Sequence, residues 1–193
     1  MKPKSKKTAK EESESIFKLP SLQEAEKLLE KELSNGEKIP TLQAYLKAGK
    51  KQKNTKLILE MKTSVIGKER TIALSTACVE MVKKFKMDQW IEYISFDYDA
   101  LLNIRKLNPT AITYYLTGDI ASDKLKYDGI TGADYHYSVF EKDPTWFTKA
   151  RSLGLKLNAW TVNSVPVMEW LLKNEVEFIT TNEPEMLFGL LKK

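Results

Sequence analysis

From residue 57 onward, the sequence alternates between short apolar segments and amphipathic segments with helical spacing. The apolar segments have the β-branched and aromatic composition of buried strands. Strands are predicted over Leu57–Lys62, Glu92–Asp97, Ala111–Leu116, Ala133–Ser138, Leu155–Val162 and Val176–Thr181. Helices are predicted over residues 68–86, 100–107, 122–127, 145–153, 167–172 and 185–191. A strand followed by a helix, repeated with short connections, implies an α/β fold with a parallel sheet and helices outside.

Right-handed crossovers leave two arrangements for such a sheet, a barrel or an open doubly wound sheet. No Gly-rich turn follows any predicted strand, which counts against a nucleotide-binding doubly wound sheet. Polar residues stand instead near the carboxyl ends of strands, among them Glu60, Lys62, Asp97 and Asn158. Functional residues of parallel barrels lie at that end. We therefore predict an incomplete TIM-barrel-like (β/α) fold with about six parallel strands and an extra N-terminal helix.

The N-terminal segment differs in composition from the rest of the chain. Residues 1–14 are polar and lysine-rich, so we expect a disordered tail followed by a barrel domain over residues 15–193. Residues 1–12 contribute +3 of the net charge of +5, from five lysines and two glutamates. The remainder has no basic helix face, so nucleic-acid binding is not predicted. Ser21-Leu-Gln-Glu24 reads as a capping box that begins a helix ending at Asn35-Gly36, and Pro40-Thr41 begins a second helix.

Composition and single residues exclude several classes of protein. The chain is 30% charged and 42% hydrophobic, as in soluble globular domains. No apolar run approaches the roughly 20 residues of a membrane span, and no signal peptide is visible, so we expect a cytoplasmic protein. The single cysteine, Cys78, excludes an internal disulfide framework. The single histidine, His136, excludes any mechanism that needs two histidines from one chain.

Five segments carry a recognisable order and spacing. They are Asn35–Leu42, Leu57–Lys62, Tyr93–Asp97, Asn158–Asn163 and Phe178–Pro184. Together they resemble the glycerophosphodiester phosphodiesterase family, and the Glu-x-Lys and Trp-Thr-Val-Asn strands are its most specific part. The resemblance implies a TIM barrel and a metal-dependent hydrolase. Such an enzyme splits glycerophosphodiesters into an alcohol and glycerol 3-phosphate.

The resemblance also implies roles for individual residues. Glu60 matches the family's third carboxylate ligand for a divalent cation, Mg²⁺ or Ca²⁺. Lys62 matches the neighbouring lysine, which is expected to meet substrate phosphate. Trp160 matches a tryptophan that lines the pocket, with Asn158 on the same strand face. Asn182 stands where the family more often has aspartate, which leaves its role open. Without a substrate, Glu60 and Lys62 are equally a plain ion pair, and Trp160 is core packing.

Three family motifs are not found in this sequence. The family ends its first strand with His-Arg-Gly and its second with a metal-binding Glu-x-Asp pair, and a His-Asp motif follows. His-Arg-Gly and His-Asp are absent, and no Glu-x-Asp precedes Glu60. His136 lies in a different strand and matches neither catalytic histidine. The chain therefore resembles the C-terminal three-quarters of the family barrel. We predict no catalytic residue and expect hydrolysis to be impaired or absent.

The alternative is a catalytically dead relative with a binding or structural role. It would bind a glycerophosphodiester or a phosphate anion, or bind nothing. Without two barrel strands, the strands at Leu57–Lys62 and Val176–Thr181 have unpaired edges, which parallel sheets rarely expose to water. Three coverings are open: the helix from Ser21, the segment Ser15–Leu19 as a surrogate strand, or a second copy of the chain in a homodimer.

Overall fold

Six parallel strands form a single sheet in the part of the chain that the computed structural model describes, residues 27, 29–65 and 67–192. The strands are β1 (Leu57–Met61), β2 (Ile91–Ser95), β3 (Ile112–Tyr115), β4 (Gly132–His136), β5 (Lys156–Trp160) and β6 (Phe178–Ile179). The helices are α1 (Leu42–Gly49), α2 (Lys68–Phe85), α3 (Tyr98–Leu107), α4 (Ser122–Tyr127), α5 (Tyr137–Lys142), α6 (Thr145–Leu153), α7 (Val165–Lys173) and α8 (Pro184–Leu191). A 3-10 turn over Asp88–Trp90 precedes β2.

The strands lie in the sheet in their sequence order, and every neighbouring pair is parallel. At least one helix connects each strand to the next, and α8 follows β6. Tyr114 of β3 meets Phe178 of β6 edge to face, with ring centroids 6.3 Å apart. Two strands separate β3 from β6, so the sheet is curled into a half-barrel. The predicted TIM-barrel-like α/β fold with six parallel strands is confirmed.

The side chains of each strand alternate between the two faces of the sheet. One set faces the helices and is buried, as the side chains of Met61, Tyr93 and Tyr135 show. Tyr135 packs edge to face on Trp146 of α6, with ring centroids 5.3 Å apart. Burying one such apolar side chain stabilises the fold by about 2 kcal/mol. The other set faces the concave side of the half-barrel, where Ile58 is half exposed.

Local signals in the sequence set several helix ends as predicted. Helices α4 and α6 have the predicted bounds. Gly154 ends α6 in the left-handed conformation, with a φ of 66°. The Oδ1 atom of Asp97 accepts a hydrogen bond from the backbone N–H of Ala100 at 3.2 Å and so caps α3. The hydroxyl of Ser95 donates to the carbonyl of Met61 at 2.7 Å, which ties the carboxyl end of β2 to that of β1.

The strand prediction over Ala133–Ser138 was wrong at its end. Strand β4 ends at His136, and α5 begins at the next residue. The Nδ1 atom of His136 accepts a hydrogen bond from the backbone N–H of Ser138 at 3.3 Å, so its side chain caps this helix. Histidine is rarely the residue that caps a helix, and the aromatic residues around His136 are also typical of a strand. The sequence therefore contains no clear sign that a helix begins here.

The helix predicted to continue to Asn35-Gly36 was also too long. Residues 27, 29 and 30 are helical, and an antiparallel bridge between Glu32 and Lys38 follows. The Oδ1 atom of Asn35 accepts a hydrogen bond from the backbone N–H of Glu37 at 3.1 Å, and Gly36 has a φ of 80°. Asn35-Gly36 therefore forms a turn, because an Asn side chain stabilises a local turn as well as a helix end.

Some predictions concern residues outside the described part of the chain. They are the tail over residues 1–14, the segment Ser15–Leu19 and the capping box at Ser21. Between residues 27 and 192, apart from residues 28 and 66, no helix is both long and apolar enough to cross a membrane.

Candidate functional site

A cavity of about 270 Å³ opens on the concave face of the half-barrel, at the carboxyl ends of the strands. The residues around it include Glu60, Lys62, Phe96, Asp134, Trp160 and Thr180. Glu60 comes from β1 and Trp160 from β5, with three strands between them in the sheet. The curl of the sheet therefore brings three of the four predicted site residues around one space, which we call the upper cavity.

Lys62 stands at the rim of the upper cavity in an ion pair. Its ammonium group contacts the Oε1 atom of Glu60 and lies 5.7 Å from the centroid of the Phe96 ring. The side chain of Lys62 is 75% exposed, whereas that of Glu60 is 32% exposed. An ion pair this exposed contributes little to stability. The ammonium group keeps donors available to an anion from solvent.

Trp160 forms a fixed wall of the upper cavity. Its indole Nε1 donates a hydrogen bond to the backbone carbonyl of Asp134 at 2.7 Å. Its ring meets the Phe96 ring edge to face at 5.8 Å and the His136 ring at 5.2 Å. Since the polar atom of the indole is satisfied and the ring is held from two sides, Trp160 offers a rigid apolar surface to a ligand.

Asn158 lies deeper in the half-barrel than the other three predicted residues. It lines a second cavity of about 380 Å³, which we call the lower cavity. Its Nδ2 atom donates a hydrogen bond to the hydroxyl oxygen of Thr180 at 3.0 Å. Ile94, Asp134 and Thr180 line both cavities, which are therefore adjacent. Asn158 precedes Trp160 by two residues in β5 and therefore lies further from the carboxyl ends of the strands than Trp160 and Lys62 do.

Asp134 is a residue of the site that the sequence analysis missed. It lies in the middle of β4 and is only 3% exposed. Its Oδ1 atom has no hydrogen-bond partner among the described residues. Burial raises the pKa of this carboxyl group to about 7; the neighbouring Asn158 amide lowers the pKa, and the charge of Glu60 raises it. A carboxyl group in the middle of a buried parallel strand is the signal that could have found it.

The described residues do not form a complete site for a divalent cation. Mg²⁺ and Ca²⁺ take several oxygen ligands from carboxylates, carbonyls and water. In the described ranges, no three His, Cys, Asp or Glu side chains come together in a way that could hold a metal. Glu60 is paired with Lys62, and Asp134 is the second carboxylate at the upper cavity. The role of Glu60 as a metal ligand stays a prediction.

Comparison with known proteins identifies the family of this half-barrel. The model of the glycerophosphoryl diester phosphodiesterase family matches residues 5–186. The chain belongs to this family. Among solved structures, a glycerophosphodiester phosphodiesterase from Parabacteroides distasonis is 40% identical with a TM-score of 0.84, and the match covers 86% of this chain and 70% of that chain. The family resemblance of the five sequence segments is thereby confirmed.

Two further phosphodiesterases extend the comparison. The glycerophosphodiester phosphodiesterase of Caldanaerobacter subterraneus is 24% identical over 163 residues, which are 82% of this chain and 64% of that protein. An Oleispira antarctica phosphodiesterase, solved in complex with the product sn-glycerol-3-phosphate, is 22% identical with a TM-score of 0.67; the match covers 81% of this chain and 62% of that chain. This second likeness shows the fold alone. The chain spans 63% and 64% of the length of curated relatives it matches.

Proposed function

We propose that this phosphodiesterase-family chain binds a glycerophosphodiester, or the phosphate group of its product, in the upper cavity. We further propose that the chain on its own hydrolyses the diester weakly or not at all. The observation that carries the binding proposal is the exposed ammonium group of Lys62 at the rim of a concave space walled by Trp160. A cavity of about 270 Å³ suits a ligand as small as glycerol phosphate.

The charges around the upper cavity favour one orientation of such a ligand. Among the described residues, Lys62 is the cation that lines this cavity, and Glu60 and Asp134 are its carboxyl groups. A phosphate group is attracted to the ammonium and repelled by ionised carboxylates. The phosphate therefore binds at the rim, where it shares Lys62 with Glu60. The carbon chain then lies against Trp160, and the hydroxyl groups point inward.

The proposal of weak or absent hydrolysis is supported by the catalytic groups that the sequence and the described residues provide. Splitting a phosphodiester needs charge neutralisation, a base for the nucleophile and an acid for the leaving alkoxide. The sequence has neither His-Arg-Gly nor His-Asp. The ring of its one histidine, His136, is 2.7 Å from the hydroxyl of Ser138 through Nδ1 and packs against Trp160. Asp134 has a pKa of about 7, which suits a general base, but the described residues bring no metal-binding cluster beside it to neutralise the charge of the phosphoryl group.

Replacing Lys62 with methionine is expected to weaken the binding of sn-glycerol-3-phosphate about tenfold or more. The physical reason is the loss of charge-assisted hydrogen bonds, each worth about 1.5–3 kcal/mol. Isothermal titration calorimetry on the native chain and the variant measures the change.

Lys149→Met is the matched control for Lys62→Met. Lys149 is an exposed lysine of α6 that also has an acidic partner, Asp143, at 3.8 Å, and it does not line the upper cavity. Its replacement should leave the affinity unchanged. Equal affinities for the native chain and Lys62→Met would contradict the binding proposal, as would a native chain that binds no ligand.

A second candidate function is structural and rests on the edges of the sheet. Among the described strands, β1 and β6 each pair on one side only. Near these edges, the concave face leaves Ile58 50% exposed and Phe178 42% exposed. We propose a second copy of the chain as the covering, which would close two half-barrels on each other.

This homodimer predicts a solution mass of about twice that of one chain, which is 22.2 kDa. Sedimentation equilibrium at several protein concentrations measures the mass. Ile58→Lys places a charge in the proposed interface and should shift the population toward single chains. A native chain that sediments as one copy at all concentrations would contradict the homodimer and favour covering by the N-terminal residues.

A further inference from the structure

Asp134 is a buried carboxyl group whose surroundings are incomplete. It is 3% exposed, and its Oδ1 atom has no partner among the described residues. An unpaired buried polar atom destabilises a fold by about 1–3 kcal/mol, and more when it is charged. Such atoms are rare in folded proteins and each one needs an explanation. Here the unpaired atom is itself enclosed, but it belongs to a carboxyl group of a residue that lines the upper cavity, and rotation about the terminal side-chain bond exchanges the two carboxyl oxygens.

Other buried oxygen atoms without a partner do not share this position. Tyr93, Thr113 and Tyr114 carry such hydroxyl groups; Tyr93 and Thr113 line neither cavity, and Tyr114 lines the lower cavity alone. Asp134 lines both. Its backbone is also held in place, because its carbonyl accepts the indole N–H of Trp160 at 2.7 Å. The backbone that carries the carboxyl group is therefore fixed next to the apolar wall of the site.

We propose that Asp134 forms a hydrogen bond with a hydroxyl group of the ligand's glycerol moiety, and thereby selects a polyol phosphate over a phosphate ester without hydroxyl groups. The inference rests on the proposed function, since it assumes that Lys62 holds the phosphate at the rim. A hydroxyl group suits Asp134 in either protonation state: it donates to a carboxylate and accepts from a carboxylic acid. A phosphate oxygen suits the protonated form alone, because it repels the carboxylate.

The selectivity follows from the same unpaired atom. A ligand with a hydroxyl group completes the surroundings of Asp134 on binding. A ligand that has a methyl group at that place leaves the carboxyl group buried and unpaired. Sites built to bond a hydroxyl group reject analogues that lack it for this reason. We expect native affinity for sn-glycerol-3-phosphate to exceed that for n-propyl phosphate about ten- to a hundredfold.

The test is a calorimetric comparison of these two ligands on three chains. The native chain should prefer sn-glycerol-3-phosphate, and Asp134→Leu should lose most of this preference while still binding n-propyl phosphate through Lys62. Tyr114→Phe is the control, since it removes a buried hydroxyl that lines the lower cavity alone and should leave the preference intact. Circular dichroism checks that each chain is folded.

The outcomes separate the two proposals. Equal native affinities for the two ligands would overturn the role of Asp134 and leave the proposed phosphate site standing. This comparison needs no variant, so it decides the matter even if Asp134→Leu fails to fold. A preference that survives in a folded Asp134→Leu chain would also overturn the inference. Native protein that binds neither ligand would overturn the proposed function and the inference together.

Discussion

Replacing Gly132 with alanine is expected to destabilise the chain by about 3 kcal/mol or more. Gly132 begins β4 and pairs with Tyr114 of β3 and Lys156 of β5. A Cβ atom at this position would overlap the backbone carbonyl oxygen of Lys156 and lie 2.8 Å from its carbonyl carbon. Backbone in the middle of a paired sheet cannot move aside as a flexible side chain can. The overlap therefore has to separate β4 from β5, two strands that carry Asp134 and Trp160.

Urea denaturation followed by circular dichroism measures this effect, with Gly189→Ala as the matched control. Gly189 lies in α8, and a Cβ atom there would meet nothing within 4 Å. The same substitution at that position should stabilise the chain by about 0.5–1 kcal/mol, since alanine favours a helix. A domain of this kind is stable by about 5–15 kcal/mol in total. An unchanged urea midpoint of unfolding for Gly132→Ala would contradict the close approach of β4 and β5 at this position.

The stability of Asp134→Asn relative to the native chain is expected to rise between pH 4 and pH 7. The pKa of Asp134 is about 7 in the folded chain and 3.8 for an ordinary aspartate. Between these values the folded state holds a proton that the unfolded state has lost. Stability from this group is thus fully present below the unfolded pKa and is lost as the pH rises through the folded one. The full difference corresponds to about 4 kcal/mol.

Urea titrations at pH 5, 6, 7 and 8 measure this dependence. The quantity compared is the free energy of unfolding of Asp134→Asn minus that of the native chain. Asparagine has nearly the shape of the protonated acid and cannot ionise, so the difference should grow with pH and level off above pH 7. Asp143→Asn is the control. Asp143 is exposed, and a hydrogen bond from the Thr145 hydroxyl lowers its pKa, so its difference should stay flat over this range. A flat difference for Asp134→Asn would contradict the burial of an unpaired carboxyl group.

The fold was predictable because its signals are local. Apolar runs mark the strands, and Asp97 and Gly154 cap helices with atoms that lie within a few residues. Helix α5 was missed because its start depends on the imidazole of His136, within a sequence that is also typical of a strand. Strand β6 has two residues, fewer than its apolar run predicts, and among the described strands it pairs with β5 alone.

The site was predictable only in part, because it depends on how distant strands are aligned. Family resemblance pointed to Glu60, Lys62 and Trp160, and the curl of the sheet brings them together. Asn158 lies in the lower cavity, which spacing along a single strand does not reveal. The importance of Asp134 comes from its register opposite Asn158 and from the neighbours that bury it, and neither can be read from the sequence of β4.

A hydrolysis assay of the purified chain tests most directly whether it binds its ligand without turning it over. The substrates are glycerophosphocholine and a chromogenic phosphodiester, each with added Mg²⁺ or Ca²⁺. Glu60→Gln is run in parallel, because it removes the one carboxylate that matches a family metal ligand. We expect no turnover by the native chain above that of the variant. Turnover that disappears in Glu60→Gln would show a working metal-dependent site and would contradict the proposal of impaired hydrolysis.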